Sequence, residues 1–263
     1  MSFNPGNVTP EQQYPHTGFN PGNITSEPLA VDRPQRAAET RQQVSAQYST
    51  APAVPTGSTT ARAQATIEAV AGQFQKYLDS IHAPDYTGPG LRNRIAAFGD
   101  TPAAQAIETA VETARDRAAS ALTAVETARR ELSPQGDTAT ELRNTRYWDR
   151  ARRIFDSVQD GKLVSVAEKT LNQARPEELG VLIEELGPYL DSRGAGTAWI
   201  APVLSKVAPT YATARQRLTD AEKALTITEH NATQLRRQMG TTHAPAGYRK
   251  PTFVDARAYD PDR

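Results

Sequence analysis

The sequence predicts an all-α protein: a long antiparallel, coiled-coil-like helical stalk, a small helical head inserted into it, and extended irregular arms at both ends. Two long stretches carry small or apolar residues at alternating steps of three and four, the spacing of a helix with one buried seam. No stretch shows the strict apolar–polar alternation of a half-buried strand. Both ends of the chain contain several prolines and only isolated large apolar residues, which is typical of segments without a core of their own.

The composition narrows the class of protein further. The 263 residues include no cysteine, which excludes disulfides and cysteine-based metal or catalytic sites. The 30 basic residues balance the 30 acidic ones, so the net charge gives no reason to expect a nucleic-acid or membrane surface. The first residues resemble no secretory signal, and no apolar run approaches the roughly 18 residues that span a bilayer. We therefore expect a soluble protein, or a component of a soluble assembly, that does not contact a membrane.

Residues 1–60 form the predicted N-terminal arm, in which a nine-residue phrase occurs twice. FNPGNVTPE begins at Phe3, and FNPGNITSE begins at Phe19. In each copy an aromatic residue precedes a Pro-Gly pair that favours a type II turn, and a β-branched residue follows it. The predicted partner-binding residues are Phe3, Pro5, Gly6 and Val8 in the first copy and Phe19, Pro21, Gly22 and Ile24 in the second.

This repeated phrase, called the hook below, suits a partner that offers two equivalent pockets. A repetitive lattice of identical subunits offers such pockets, and tethering two hooks raises the avidity of the pair. A low-complexity duplication with no partner is the alternative interpretation.

The first part of the predicted stalk covers residues 61–136. Helical spacing of apolar residues predicts helices over 61–82 and 91–98. A third, long helix starts after Asp100 or Thr101, since either side chain can cap it. Its seam consists of Ile107, Val111, Ala114, Ala118, Ala121, Val125, Ala128 and Leu132.

The second long stalk helix is predicted over residues 209–240, between a proline that starts it and a glycine that stops it. Its seam consists of Tyr211, Ala214, Leu218, Ala221, Leu225, Thr228, Ala232, Leu235 and Met239. Small residues let two backbones approach closely but bury little area, which favours packing of the two long helices against each other, antiparallel. Ordinary bundle packing and a homo-oligomeric coil on one seam are the alternatives.

The predicted head covers residues 137–208 and holds both tryptophans and most of the large aliphatic residues. We expect four short helices in it. The DGK sequence at 160–162 breaks the first helix, Pro176 opens the third, and Pro202 interrupts the fourth. Residues 241–263 form the predicted extended tail.

The head contains one basic cluster, in LRNTRYWDRARRIFD at residues 142–156. Arginines interleaved with aromatic residues bind phosphates and stack on bases in single-strand-binding proteins. The same helix carries Glu141, Asp149 and Asp156, whose pairing with arginines would instead give a neutralised helix that docks on the stalk or on a neighbouring subunit. The residues considered for nucleic-acid or subunit contact are Arg143, Arg146, Tyr147, Trp148, Arg150 and Arg153.

No catalytic, cofactor or metal site is predicted, so we expect a protein that is not an enzyme. The four histidines show no metal-ligand spacing, and the GxSxG, Walker A and GxGxxG motifs are absent from the sequence. A glycosylation sequon occurs at Asn231 and in each hook, but without a secretory signal we expect it to stay unmodified.

The organisation of the chain resembles that of accessory structural proteins of tailed bacteriophages that infect actinobacteria. The resemblance rests on helices rich in Ala, Thr and Arg, the lack of cysteine, the RYWDRARRIFD helix and the extended ends. It implies a virion protein, assembled in the host cytoplasm in multiple copies, whose arm binds the major capsid or connector protein. A transient head scaffolding protein and a nucleic-acid-associated helical protein that uses residues 142–156 are the alternatives.

Overall fold

The computed structural model describes residues 42–133 and 138–263, together with positions 39 and 136. All regular elements in these residues are helical and none is a strand, which confirms the predicted all-α class. The α-helices are α1 (Thr59–Asp79), α2 (Gly88–Ala96), α3 (Pro102–Leu132), α4 (Thr138–Asp156), α5 (Asp160–Gln173), α6 (Pro176–Ser192), α7 (Ile200–Val207) and α8 (Pro209–Thr241). A further short helical stretch occupies residues 42–47.

Three helices begin at a hydroxyl side chain that accepts a hydrogen bond from the first turn. Ser58 accepts from the Ala61 N–H at the start of α1, and Thr87 does the same for α2. Of the two candidates for the cap of α3, Thr101 is the cap, with its Oγ1 3.2 Å from the Ala104 nitrogen. Each cap pairs one of the four N–H groups that a helix start leaves without an intrahelical partner.

Two predicted helix breaks are wrong. DGK at 160–162 forms the first turn of α5, and the actual break lies just before it, at residues 157–159. Pro202 lies in the first turn of α7 and does not interrupt it. Backbone N–H groups in the first turn have no intrahelical acceptor, so a proline there removes no hydrogen bond of the helix.

The two long helices, α3 and α8, pack against each other and run in opposite directions. Glu108 of α3 pairs with Arg236 of α8, whereas Arg115, further along α3, pairs with Glu229, which comes earlier in α8. Every residue of the two predicted seams is buried or half-buried. The small residues of the seams account for this close approach, because alanine leaves the backbones room to meet.

The first hydrophobic core lies where α1 packs on the beginning of α3 and the end of α8. Five aromatic rings meet in it with centroid separations of 5.0–5.5 Å: Tyr48, Phe74, Tyr77, Phe98 and Tyr248. Two of these rings come from the predicted arm and tail, and Val44 of the arm is fully buried in the same core. Residues 42–48 and Tyr248 are therefore packed against the helices.

The second hydrophobic core lies around the other ends of α3 and α8, where α4 to α7 pack together. Its largest fully buried side chains are Phe155, Leu163, Leu171, Leu182 and Leu186. At Gly180, α6 approaches the end of α3 so closely that an added Cβ would lie 2.3 Å from the Ser133 Cβ. Between the two cores, the contact of α3 and α8 consists mainly of buried alanines, among them Ala114, Ala121, Ala221 and Ala224.

The C-terminal residues fold back along α8 and α1. The side-chain amide of Asn231 donates to the Val254 carbonyl at 2.7 Å and accepts from the Val254 N–H at 3.1 Å. Further on, Asp260 accepts a hydrogen bond from Ser58, and Asp262 pairs with Arg117 of α3. The tail thus ties α8 to α1 and α3.

Candidate functional site

The arginines singled out in the sequence all lie on α4, whose one face belongs to the second core. Ala151 and Phe155 are buried on that face, and Tyr147 and Trp148 are half-buried beside them. The face packs against α6 and, to a smaller extent, α5. This packing fixes the rotation of α4 and so decides which side chains point outward.

The two aromatic residues of the cluster are part of the core. The Trp148 ring packs edge-on against Phe155 and Tyr189, with centroid separations of 6.2 and 5.9 Å. Burial raises the pKa of the Tyr147 hydroxyl above its usual range. Because both residues pack against the second core, only part of each ring is open to solvent.

Four arginines of α4 form an exposed stripe, named here the arginine stripe: Arg143, Arg146, Arg150 and Arg153. They follow each other at steps of three, four and three, so they lie within about 80° around the helix axis at 3.6 residues per turn. From the first to the last, the stripe is about 15 Å long at 1.5 Å per residue. The structure therefore brings all four predicted arginines together on the exposed side of α4. The two predicted aromatics are half-buried, and Tyr147 stays near enough to feel the Arg150 charge.

The ion pairs predicted between the acids and the arginines of α4 form only in part. Asp156 lies 3.7 Å from Arg152, and it also accepts a hydrogen bond from Tyr189 and pairs with Arg193. Within the described part of the chain, no ion pair involves an arginine of the stripe. The stripe therefore carries four positive charges without a side-chain counter-ion there, since a guanidinium stays protonated.

The surroundings of α4 differ on its two flanks. Leu142 and Ile154 are exposed by 49% and 53%, so two aliphatic side chains lie beside the stripe. On the flank that faces α3 and α6, a cleft is lined by acidic and basic residues: Glu126, Arg129, Arg130, Glu141, Glu184 and Glu185. The uncompensated positive charge is thus confined to the outward side of α4.

The other predicted site, the duplicated hook from Phe3 to Ile24, lies outside the described residues. Within residues 42–133 and 138–263, no three His, Asp or Glu side chains are grouped so that they could hold a metal ion. None of the helices found there is both long enough and apolar enough to cross a bilayer.

The role of Asn231 was missed in the sequence, where the residue attracted notice only as a sequon. Its side chain is fully buried and links α8 to Gln64 of α1 and to Val254 of the tail. The signal was present, because position 231 lies three residues after Thr228 and directly before Ala232, on the buried side of α8. A polar side chain on such a face needs hydrogen-bond partners, and distant segments must supply them.

Comparisons of the chain with models of known protein families, with curated proteins and with solved structures found no match. The function is therefore inferred from the residues and their geometry.

Proposed function

We propose that this chain is a non-enzymatic structural protein of a bacteriophage particle that binds a repetitive capsid or connector lattice through its duplicated hook. The repetition of one nine-residue phrase, at Phe3 and again at Phe19, carries this proposal. A buried phenylalanine removes 150–250 Å² from water, so one aromatic anchor in a pocket supplies a large part of a small contact. The Pro-Gly turn beside it lowers the ordering cost of binding.

The spacing of the two hooks agrees with binding to neighbouring subunits. Sixteen residues separate the two phenylalanines, and a fully extended chain of that length reaches about 55 Å. Once one hook is bound, the other is held near the next pocket at a high effective concentration. Avidity of this kind exceeds the affinity of either hook by roughly 10²–10⁴.

The described part of the chain supplies a firm attachment for the arm. Val44 is fully buried in the first core, and the Tyr48 carbonyl accepts a hydrogen bond from the Ala103 N–H at 3.3 Å. The packed residues 42–48 begin 15 residues after the second copy of the hook ends at Glu27. Bound hooks would therefore hold the helical body close to the lattice.

The test compares attachment of variants to the particle. Phe3→Ala with Phe19→Ala removes both anchors, and we expect the chain to disappear from purified particles. Each single change should leave one hook, with apparent affinity reduced by roughly 10²-fold or more through lost avidity. Tyr14→Ala is the matched control, because Tyr14 is an aromatic residue between the two phrases and outside both. Unchanged copy number in the double variant would refute the proposal.

The particle fractions also separate a permanent component from a scaffold. Density-gradient fractions of the source particles are analysed by quantitative mass spectrometry. A fixed copy number in DNA-filled particles is the expected result. Presence only in empty precursor particles would identify a scaffolding protein, which is the alternative with the same lattice contact.

A further inference from the structure

We infer that the arginine stripe of α4 binds the phosphate backbone of a nucleic acid without reading its base sequence. The surface is separate from the hook, and the inference does not depend on the function proposed above. It rests on the charge, spacing and exposure of Arg143, Arg146, Arg150 and Arg153.

The spacing of the stripe fits a nucleic-acid strand. Four guanidinium groups follow one another over about 15 Å of helix. One strand of duplex DNA carries one phosphate charge per about 3.4 Å of its axis, so about four to five phosphates cover the same length. Arginine also suits phosphate better than lysine does, because its planar fork donates two parallel hydrogen bonds to the phosphate oxygens.

The acidic residues near the stripe are placed so that its four positive charges stay available to bind phosphate. Asp149 lies at the edge of the stripe, about 40° around the axis from Arg153 and about 60° from Arg146, but within the described residues it pairs with neither. Asp156 is engaged by Arg152, Arg193 and Tyr189. The acidic cleft residues lie on the flank toward α3 and α6. A polyanion that approaches from solvent therefore meets the arginines first.

The burial of the aromatic residues decides how the nucleic acid is recognised. Tyr147 and Trp148 are half-buried, and Trp148 packs on Phe155 and Tyr189, so these rings offer bases less surface than the exposed arginines offer phosphates. The favoured contact is with the backbone, which is electrostatic and independent of sequence. An apolar protein partner is less well matched, because two isolated exposed aliphatic residues are ordinary on a protein surface.

The experiment measures binding of the full chain to a fluorescein-labelled 30-base-pair duplex and to a 30-nucleotide oligo-dT by fluorescence anisotropy. Four phosphate contacts predict a slope of log K against log salt of about −3.6 for the duplex and about −2.8 for the single strand. Between 50 and 200 mM NaCl the affinity should then fall roughly 150-fold and roughly 50-fold, respectively. A flat salt dependence, or no binding at 50 mM, would overturn the inference.

Two variants with equal loss of charge test the location of the surface. Changing all four stripe residues to Gln should abolish the slope and weaken binding roughly 100-fold or more at 50 mM. The control changes Lys169, Arg215, Arg217 and Arg237 to Gln, which removes four exposed charges elsewhere. Its slope of log K against log salt should differ by less than about one from that of the unchanged protein. Equal loss in the two variants would show that net charge alone matters and would overturn the inference.

Two further measurements keep the test decisive. If circular dichroism shows that the fourfold Gln variant is unfolded, the single Arg→Gln variants replace it, and each should reduce the slope by about 0.9 on the duplex. Poly-glutamate of matched charge serves as the competitor. Tighter binding to poly-glutamate than to both oligonucleotides would assign the stripe to an acidic protein instead.

Discussion

Replacement of Asn231 by alanine should loosen the C-terminal tail around Val254 and destabilise the helical body. Asn231 is fully buried, and its amide makes three hydrogen bonds: to Gln64 at 3.2 Å and to both backbone groups of Val254 at 2.7 and 3.1 Å. Each bond contributes a net of about 1 kcal/mol to the free energy of unfolding.

The total loss of free energy of unfolding depends on which hydrogen-bond partners of Asn231 can bind water instead. Val254 is 51% exposed, so its backbone groups can be rehydrated once the tail lifts. Gln64 is buried in α1, and its Oε1 atom would be left without this donor, which costs about 1–3 kcal/mol. We expect Asn231→Ala to lower the free energy of unfolding by about 3 kcal/mol. For a chain of this size, that corresponds to a Tm decrease of roughly 6–12 °C.

Thr228→Val is the matched control, one turn earlier on the same helix. Thr228 is equally buried, but its hydroxyl bonds only to the Ala224 carbonyl of α8, 2.8 Å away, so we expect a loss below about 1 kcal/mol. Urea denaturation followed by circular dichroism measures both variants, and hydrogen exchange measures protection of the Val254 amide. Losses of stability within about 1 kcal/mol of each other, or unchanged exchange at Val254, would refute the reasoning.

Two further predictions concern a close helix contact and the aromatic core. Gly180→Ala should lower the free energy of unfolding by about 1–3 kcal/mol, because its Cβ would lie 2.3 Å from the Ser133 Cβ. Gly187→Ala in the same helix meets no atom within 4 Å and should raise it by about 0.5–1 kcal/mol, so a loss at both glycines in urea denaturation would contradict this account. Burial raises the pKa of Tyr77 and Tyr248 to about 12. The unfolded chain therefore releases these protons first, near pH 10, and the free energy of unfolding is maintained below pH 10 and falls between pH 10 and 12. The double variant Tyr77→Phe with Tyr248→Phe should show a smaller fall between pH 10 and 12 in urea denaturation, and an equal fall would argue against these two groups.

The long helices were predictable because their signal is local. The seam of α3 repeats at steps of four and three, and Asp100 and Thr101 are recognisable caps, so the sequence limited the start of the helix to residue 101 or 102; it begins at Pro102. The break between α4 and α5 was misplaced because glycine in DGK indicates a turn, while the first turn of a helix tolerates it.

The packing of the chain ends was not predictable in the same way. Tyr48 and Tyr248 are isolated aromatic residues in irregular sequence. Tyr48 meets Tyr77 and Phe98, whereas Tyr248 meets Phe74, so both enter the same core from positions far apart along the chain. No local period shows which groove such a residue enters. The predicted ion pairs on α4 form only in part, between Arg152 and Asp156, because an exposed ion pair contributes only about 0–1 kcal/mol and helical spacing alone does not enforce it.

The described end of the arm and the arginine stripe lie at opposite ends of the α3–α8 pair. Residues 42–48, where the hook-bearing arm joins the body, pack in the first core, whereas the arginine stripe lies on α4 of the second core. Along α3 the two cores are separated by the stretch from Val111 to Val125, about 21 Å of helix. This stretch contains several alanines, which bury little apolar area but let α3 and α8 pack closely. The paired helices therefore act as a spacer between the two cores. If both tests succeed, the chain binds a lattice through its arm and a nucleic acid through α4, and loss of the hook would leave the salt-dependent binding of the stripe unchanged.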